Sequence, residues 1–195
     1  MKFTIESGRK FLWLFPINRP VSYPRIFSLL KMRLFKSSFS FTLKITAESV
    51  YEPTKEGDIS WHKVAGFSFN PFNRSKETRL IAIRRKSEDE MEIGYYINSS
   101  KANRSLDWQV HVLCSVSVSD LKNGKVFSAK FIVNEVGCVM DAGDVKAFSS
   151  PFFDFGIKDE RWSPFAFIIQ PYGGGRKPSW AKKPYSLIIE NFKTI

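Results

Sequence analysis

Trp108-Gln109-Val110-His111-Val112-Leu113-Cys114-Ser115-Val116-Ser117-Val118-Ser119 decides the fold class. Trp108, Val110, Val112, Cys114, Val116 and Val118 recur at every second position. Asp107, Gln109, His111, Ser115, Ser117 and Ser119 fill the places between, and Leu113 alone breaks the rule. A helix repeats its faces every ~3.6 residues and a strand every two, so this stretch is predicted to be a strand with one buried face and one wet face. Asn123-Gly124 follows, the positive-φ pair favoured in tight hairpins. The return strand is then Phe127, Ala129, Phe131 and Val133, alternating with Ser128 and Lys130.

The same period appears on either side. Phe39, Phe41, Leu43 and Ile45 alternate with Ser38, Ser40, Thr42 and Lys44. Ile81 and Ile83 precede the charged turn Lys86-Ser87-Glu88-Asp89-Glu90, and Met91, Ile93, Tyr95 and Ile97 follow it. Phe165–Ile169 is apolar on both faces, as an inner strand is, and Tyr185, Leu187 and Ile189 close the chain. Arg25–Lys36 reads as a basic amphipathic helix or as a strand; in this context strand is the reading adopted. The chain is therefore expected to be all-β, a β-sandwich or jelly roll of about eight to ten mostly antiparallel strands. Residues 1–195 are read as a single domain, with a basic segment over about 1–36 packed on it or extending from it. A hydrophobic share of 43% is enough for a core that needs no disulfide framework or metal, and 19 Phe suit half-buried pleated surfaces.

The net charge of +11 is concentrated at the ends. Residues 1–45 carry nine Lys/Arg against one acid, Glu6; residues 176–195 carry five against Glu190. Basic ends on a near-neutral body imply a protein partner or an acidic polymer: nucleic acid, acidic glycan or acidic protein surface. Cys114 and Cys138 form no CxxC, and Cys114 falls on the apolar face as a buried free thiol. The apolar run Phe11–Phe15 is ended by Pro16 without a small-residue cleavage site and is too short to cross a bilayer. The expectation is a cytoplasmic or virion-associated protein, with the sequons at Asn73, Asn98 and Asn103 as chance matches.

Few residues suggest chemistry. With His62 and His111 the only histidines, and no ligand spacing around the cysteines, no metal or other cofactor is expected. Asp141-Ala142-Gly143-Asp144 reads as an acidic turn. Gly173-Gly174-Gly175-Arg176-Lys177 offers backbone N–H groups beside two cations, a possible anion nest, although it is not a phosphate-loop motif. Trp180, like Trp162, is placed in a loop where its ring can stack on a sugar or a base. His111, on the predicted wet face, is a candidate ligand-binding residue, and a glycan-cleaving enzyme would join it to Tyr95, Tyr96 and Arg79.

The run Asp58-Ile59-Ser60-Trp61-His62-Lys63-Val64-Ala65-Gly66-Phe67-Ser68 and the later Pro171-Tyr172-Gly173-Gly174-Gly175 resemble a family of uncharacterised bacterial and phage β-proteins. Its members carry a W/N-K-x-x-G-x-S segment, an Arg-containing strand (here Arg79–Arg84), an I-E-I-x-x-Y-like strand (here Glu92–Tyr96) and a closing P-Y-F-G-G. Thr4–Lys10 is similar to the family's first strand. Phe69–Asn73 and Ser179–Lys183 depart from it by lacking its histidines. The resemblance implies a β-sandwich and no particular activity. The leading functional expectation is a non-catalytic interaction or structural module, as in a phage particle or other large assembly. The alternative is a glycan-binding or glycan-cleaving protein using the face around His111, and a weaker third is nucleic-acid binding through residues 1–45.

Overall fold

The computed structural model describes residues 2–5, 32–34, 38–53, 60–68, 78–98, 108–134, 137–150, 165–169 and 185–194. The elements are β1 (Lys2–Ile5), β2 (Met32–Leu34), β3 (Ser38–Ile45), β4 (His62–Ser68), β5 (Thr78–Arg85), β6 (Glu90–Asn98) and β7 (Trp108–Ser117). A short helix α1 (Val118–Lys122) follows, then β8 (Phe127–Asn134), β9 (Cys138–Asp141), β10 (Lys146–Ser149), β11 (Phe165–Ile169) and β12 (Tyr185–Thr194). They form two six-stranded sheets, ordered β1-β12-β3-β8-β9-β10 and β2-β11-β4-β5-β6-β7, with antiparallel pairing throughout. The β-sandwich class is as expected. The strand number exceeds the expected eight to ten because segments such as Cys138–Asp141 and Lys146–Ser149 are too short for alternation to show. Of Arg25–Lys36, only Met32–Leu34 is described, and it is strand.

The alternating residues of β3, β5, β6, β8 and β12 meet between the sheets. Phe39, Phe41, Leu43, Ile45, Ile81, Ile83, Ile93, Phe131 and Leu187 are buried in one continuous core. Phe39 packs edge-on against Phe67 of the opposite sheet, with ring centroids 4.7 Å apart, and Phe41 stacks on Phe131 at 5.4 Å. Apolar groups on one face of each sheet can leave water only by stacking the sheets, so period-two alternation becomes a sandwich.

The stretch that decided the fold class is more broken than its pattern. β7 ends at Ser117, and Val118 begins α1 instead of continuing the strand. Ser117 caps α1, its hydroxyl accepting from the Asp120 N–H at 3.3 Å, while Val118 and Leu121, three residues apart, bury one helical face. Asn123-Gly124 is the end of this helix, with Gly124 at φ +90°, and not a hairpin turn. β7 is the edge strand of the second sheet; β8 lies in the first, between β3 and β9. The expected hairpin is thus a crossing between sheets: Asn-Gly stops a helix as readily as it turns a hairpin, and here only Gly124 takes positive φ, Asn123 staying at −81°.

Leu113, the exception in the pattern, marks a β-bulge. Gly94 pairs with Val112, but its neighbour Ile93 pairs with Cys114. One extra residue reverses the faces. Val110 and Val112 lie on the outer side of the sheet, whereas Cys114 and Val116 turn to the core, together with Leu113. The single apolar face assigned to Val110, Val112, Cys114 and Val116 is therefore two opposite half-faces. Both cysteines are free thiols; Cys138 is buried and Cys114 half-buried.

Candidate functional site

The bulge also relocates His111, which joins residues of β5 and β6 that were expected to act on sugars. His111 is the cross-strand neighbour of Tyr95, and Arg79 faces Ile97, so these residues lie on the inter-sheet side of β5–β7. His111 does not share the wet face expected of it: Ser115 and Ser117 are exposed, whereas His111 is half-buried opposite Tyr95. Arg79 is fully buried, and its Nη1 donates to the Thr78 carbonyl at 2.7 Å. Tyr95 is fully buried too; burial pushes its hydroxyl well above the ordinary tyrosine range, opposed in part by the Arg79 charge. A second histidine–tyrosine pair is more deeply interior. His62 Nδ1 is hydrogen-bonded to the Tyr185 hydroxyl, and Tyr51 stacks on the imidazole at 4.3 Å. Gly173, Gly174, Gly175, Arg176, Lys177 and Trp180 lie outside the described residues.

Of the four candidates for glycan chemistry, only Tyr96 is on the outer face of the second sheet. Leu80 and Ala82 sit beside it, fully buried, and Trp61 and Val110 pack on them. The cross-strand rows run Leu80–Tyr96–Val110, Ala82–Gly94–Val112 and Arg84–Glu92–Ser115, with Lys63 opposite Ala82. Gly94 is what lets Trp61 lie down on this sheet. A Cβ there would stand 2.9 Å from Trp61 Cη2 and would collide with Val110 Cγ1.

Cations and rings then interleave. Lys63 Nζ donates to the Trp61 carbonyl at 2.9 Å and stands 4.2 Å above the Tyr96 ring. The Arg84 guanidinium lies over the Trp61 indole at 4.6 Å. Its Nε and Nη2 both reach Glu92 Oε2, at 2.7 and 2.6 Å, while Lys86 Nζ meets Glu92 Oε1 at 2.9 Å and Glu90 Oε2 at 3.1 Å. Hydrogen bonding to Glu92 and then Glu90 raises the Lys86 pKa. The Ser115 hydroxyl, followed by Lys86, lowers that of Glu90. Burial grades along the face: Lys63, Tyr96 and Trp61 are nearly enclosed, Glu92 is 5% exposed, Arg84 20% and Lys86 48%. The accessible end is thus the cationic one, beside the β5–β6 turn.

Sequence reasoning missed Trp61, Lys63, Arg84, Lys86 and Glu92 as one group. They come from three strands and a turn, and only cross-strand register joins them. Their faint signal was Trp61-x-Lys63 inside the first resemblance motif, Lys86 in a charged turn read as Lys86–Glu90, and Arg84 and Glu92 in the two strand motifs that flank it.

No protein-family model and no curated protein matches the sequence. Solved structures do match. Alginate lyase A1-II′, a member of polysaccharide lyase family 7, is 11% identical, with 100% of this chain and 78% of that chain covered at a TM-score of 0.51. A variant of the same lyase in complex with substrate gives 10% identity, coverage of 100% and 77%, and a TM-score of 0.50. The marine alginate lyase AlyA1 from Zobellia galactanivorans is 9% identical, with 85% and 65% covered, at 0.47. The first two establish a shared sandwich fold over the whole chain. They also overturn the expectation of a non-catalytic structural or particle component, since the proteins sharing the fold are polysaccharide lyases. A sheet assembles a site across strands and needs no local signature, so the lack of a linear catalytic motif does not by itself argue for a structural role.

Proposed function

We propose that this protein binds and cleaves an acidic polysaccharide of the uronate class, on the outer face of its second sheet. The observation that carries the proposal is the convergence of Arg84, Lys86, Lys63, Trp61 and Tyr96 on that face, in a fold shared with alginate lyases. A polyuronate presents a carboxylate and an apolar ring face on each sugar. Guanidinium and ammonium groups neutralise the carboxylate, and aromatic rings receive the sugar face. Cleavage by elimination removes the proton on the carbon beside the carboxylate, forms a carbon–carbon double bond and expels the bridging oxygen, which takes up a proton. Neutralising the carboxylate makes that proton acidic enough to remove. Lys86, the most exposed cation of the group, holds the carboxylate with Arg84 behind it, and Tyr96, 7% exposed and beside the Lys63 ammonium, exchanges the proton through the small part of its surface that is open. The net charge of +11 steers such a polymer toward the protein.

The test is incubation with polymannuronate, polyguluronate and a neutral glucan, following the ultraviolet absorbance of the unsaturated uronate. Product from an acidic polymer only, with the rate lost in Tyr96→Phe at unchanged thermal stability, is the expected result. No product and no binding with any uronate polymer would refute the proposal.

A further inference from the structure

The other outer face, on the first sheet, carries a second pattern. Two adjacent cross-strand rows run over β12, β3, β8, β9 and β10. One is Glu190–Thr42–Lys130–Asp141–Lys146; the next is Lys193–Ser40–Ile132–Val139–Phe148. With Lys44 this face presents four lysines against two carboxylates. Lys44 is bound to Glu190 at 2.8 Å, and Lys146 stands 3.8 Å from Asp141. Among the described residues Lys130 and Lys193 make no ion pair, and both are exposed. At the β9–β10 end of the sheet, among the described residues, Phe148 is 51% exposed and Val139 42%, in register with each other. An exposed phenylalanine on the last strand of the sheet, opposite an exposed valine on the strand beside it, invites contact with other molecules, so their retention calls for an explanation.

We propose that this face is a second, non-catalytic binding surface for the same polyuronate chain, holding the polymer while the opposite face acts on it. The choice of polymer rests on the function proposed above; the face itself stands on its own geometry. Strands about 4.8 Å apart place Lys130 and Lys146, two strands from each other, roughly 10 Å apart. That spacing suits carboxylates distributed one per sugar. A nucleic-acid strand carries a charge every ~3.4 Å and is held by denser cations and by serial ring stacking. Here the lysines are dispersed, one ring is exposed among the described residues, and the intervening side chains Thr42 and Ser128 carry hydroxyls that hydrogen-bond sugar. Phe148 receives a sugar face at the end of the row.

The test uses the full chain with Lys130→Glu/Lys146→Glu and, separately, Phe148→Ala. Retention in gels cast with long-chain polymannuronate is measured over a salt series, together with the turnover of short oligouronates. Lys122→Glu/Lys125→Glu, on the helical crossing, is the control of equal charge change. The expected result is polymer affinity reduced about tenfold, equivalent to ~1.4 kcal/mol, by the Lys130/Lys146 variant. Phe148→Ala lowers it less and the control hardly at all, with oligomer turnover unchanged. Equal losses in the variant and the control, no loss in either, no retention of the unsubstituted chain, or preferential capture of duplex DNA would each overturn the inference. Absent oligomer cleavage with lysine-dependent polymer retention would instead refute the catalytic reading and leave this surface standing.

Discussion

Gly66→Ala and Gly94→Ala are expected to behave in the opposite way to ordinary glycine replacement in a strand. Removing a strand glycine normally stabilises by ~0.4–1 kcal/mol, because alanine restricts the unfolded chain. At Gly66 an added Cβ would stand 2.5 Å from Leu80 Cα, and closer still to Leu80 Cβ and the Arg79 carbonyl oxygen. Those atoms belong to the paired strand β5, so relief requires β4 and β5 to part, loosening the ladder from His62 to Ser68. At Gly94 the Cβ would meet a methyl of Val110, the rim of Trp61 and, at 3.0 Å, the His111 carbonyl; two of these three obstacles are side chains that can shift. Overpacking of this kind costs about 1–3 kcal/mol, more where backbone must move. Gly66→Ala is therefore expected to cost about 3 kcal/mol or more and Gly94→Ala about 1–2. At ~2–4 °C per kcal/mol for a chain of this size, Tm should fall by ~6–12 °C and ~2–8 °C respectively. Calorimetry with urea unfolding gives both values. Gly94→Ala should also lift Trp61 from the sheet and weaken uronate binding, which titration calorimetry reads. A Gly66→Ala protein at least as stable as the unsubstituted chain would refute the close approach of β4 and β5.

Glu92→Gln removes the shared partner of Arg84 and Lys86 and should destabilise by about 1–3 kcal/mol, since the half-buried guanidinium loses its charged acceptor while Lys86 keeps Glu90 and solvent; urea midpoints check this. Glu190 and Glu90 have pKa values lowered in the fold, by Lys44 and by Ser115 with Lys86 respectively. A carboxylate with a depressed folded pKa contributes stability above its unfolded pKa and loses it as pH falls through the folded one, so Glu190→Gln/Glu90→Gln should flatten the acid limb of a stability–pH curve below about pH 4.5. An unchanged acid limb would count against both ion pairs. Burial pushes Cys114 up to about 12 and Cys138 higher, so neither thiol should react with iodoacetamide in the native protein at pH 8, and both should react in urea; mass spectrometry of the native sample reads the outcome.

Period-two alternation in Phe39–Ile45, Met91–Ile97 and Phe127–Val133 was sufficient to establish stacked sheets around an apolar interior, because burial of one strand face is a local property written in successive side chains. Within that fold, Leu113 was visible as an irregularity, but its meaning was not. Whether one extra residue swaps the faces depends on the partner strand, and only the pairing of Gly94 with Val112 and of Ile93 with Cys114 shows that it does. That one bulge places His111 on the core side, beside Tyr95, while Tyr96 faces outward by the alternation of β6 itself. Asn123-Gly124 is the same kind of case: Asn-Gly serves a helix end or a hairpin alike, and the choice is made by which sheet β8 joins. The functional face is the least local feature of all. Trp61, Lys63, Arg84, Glu92 and Tyr96 become neighbours through strand register, a relation between distant segments that each segment's own pattern leaves open. The sequence by itself thus determined that sheets form and which residues can bury. The tertiary structure alone decided which side each reactive side chain faces, because direction in a sheet is set by pairing across strands and not by order along one.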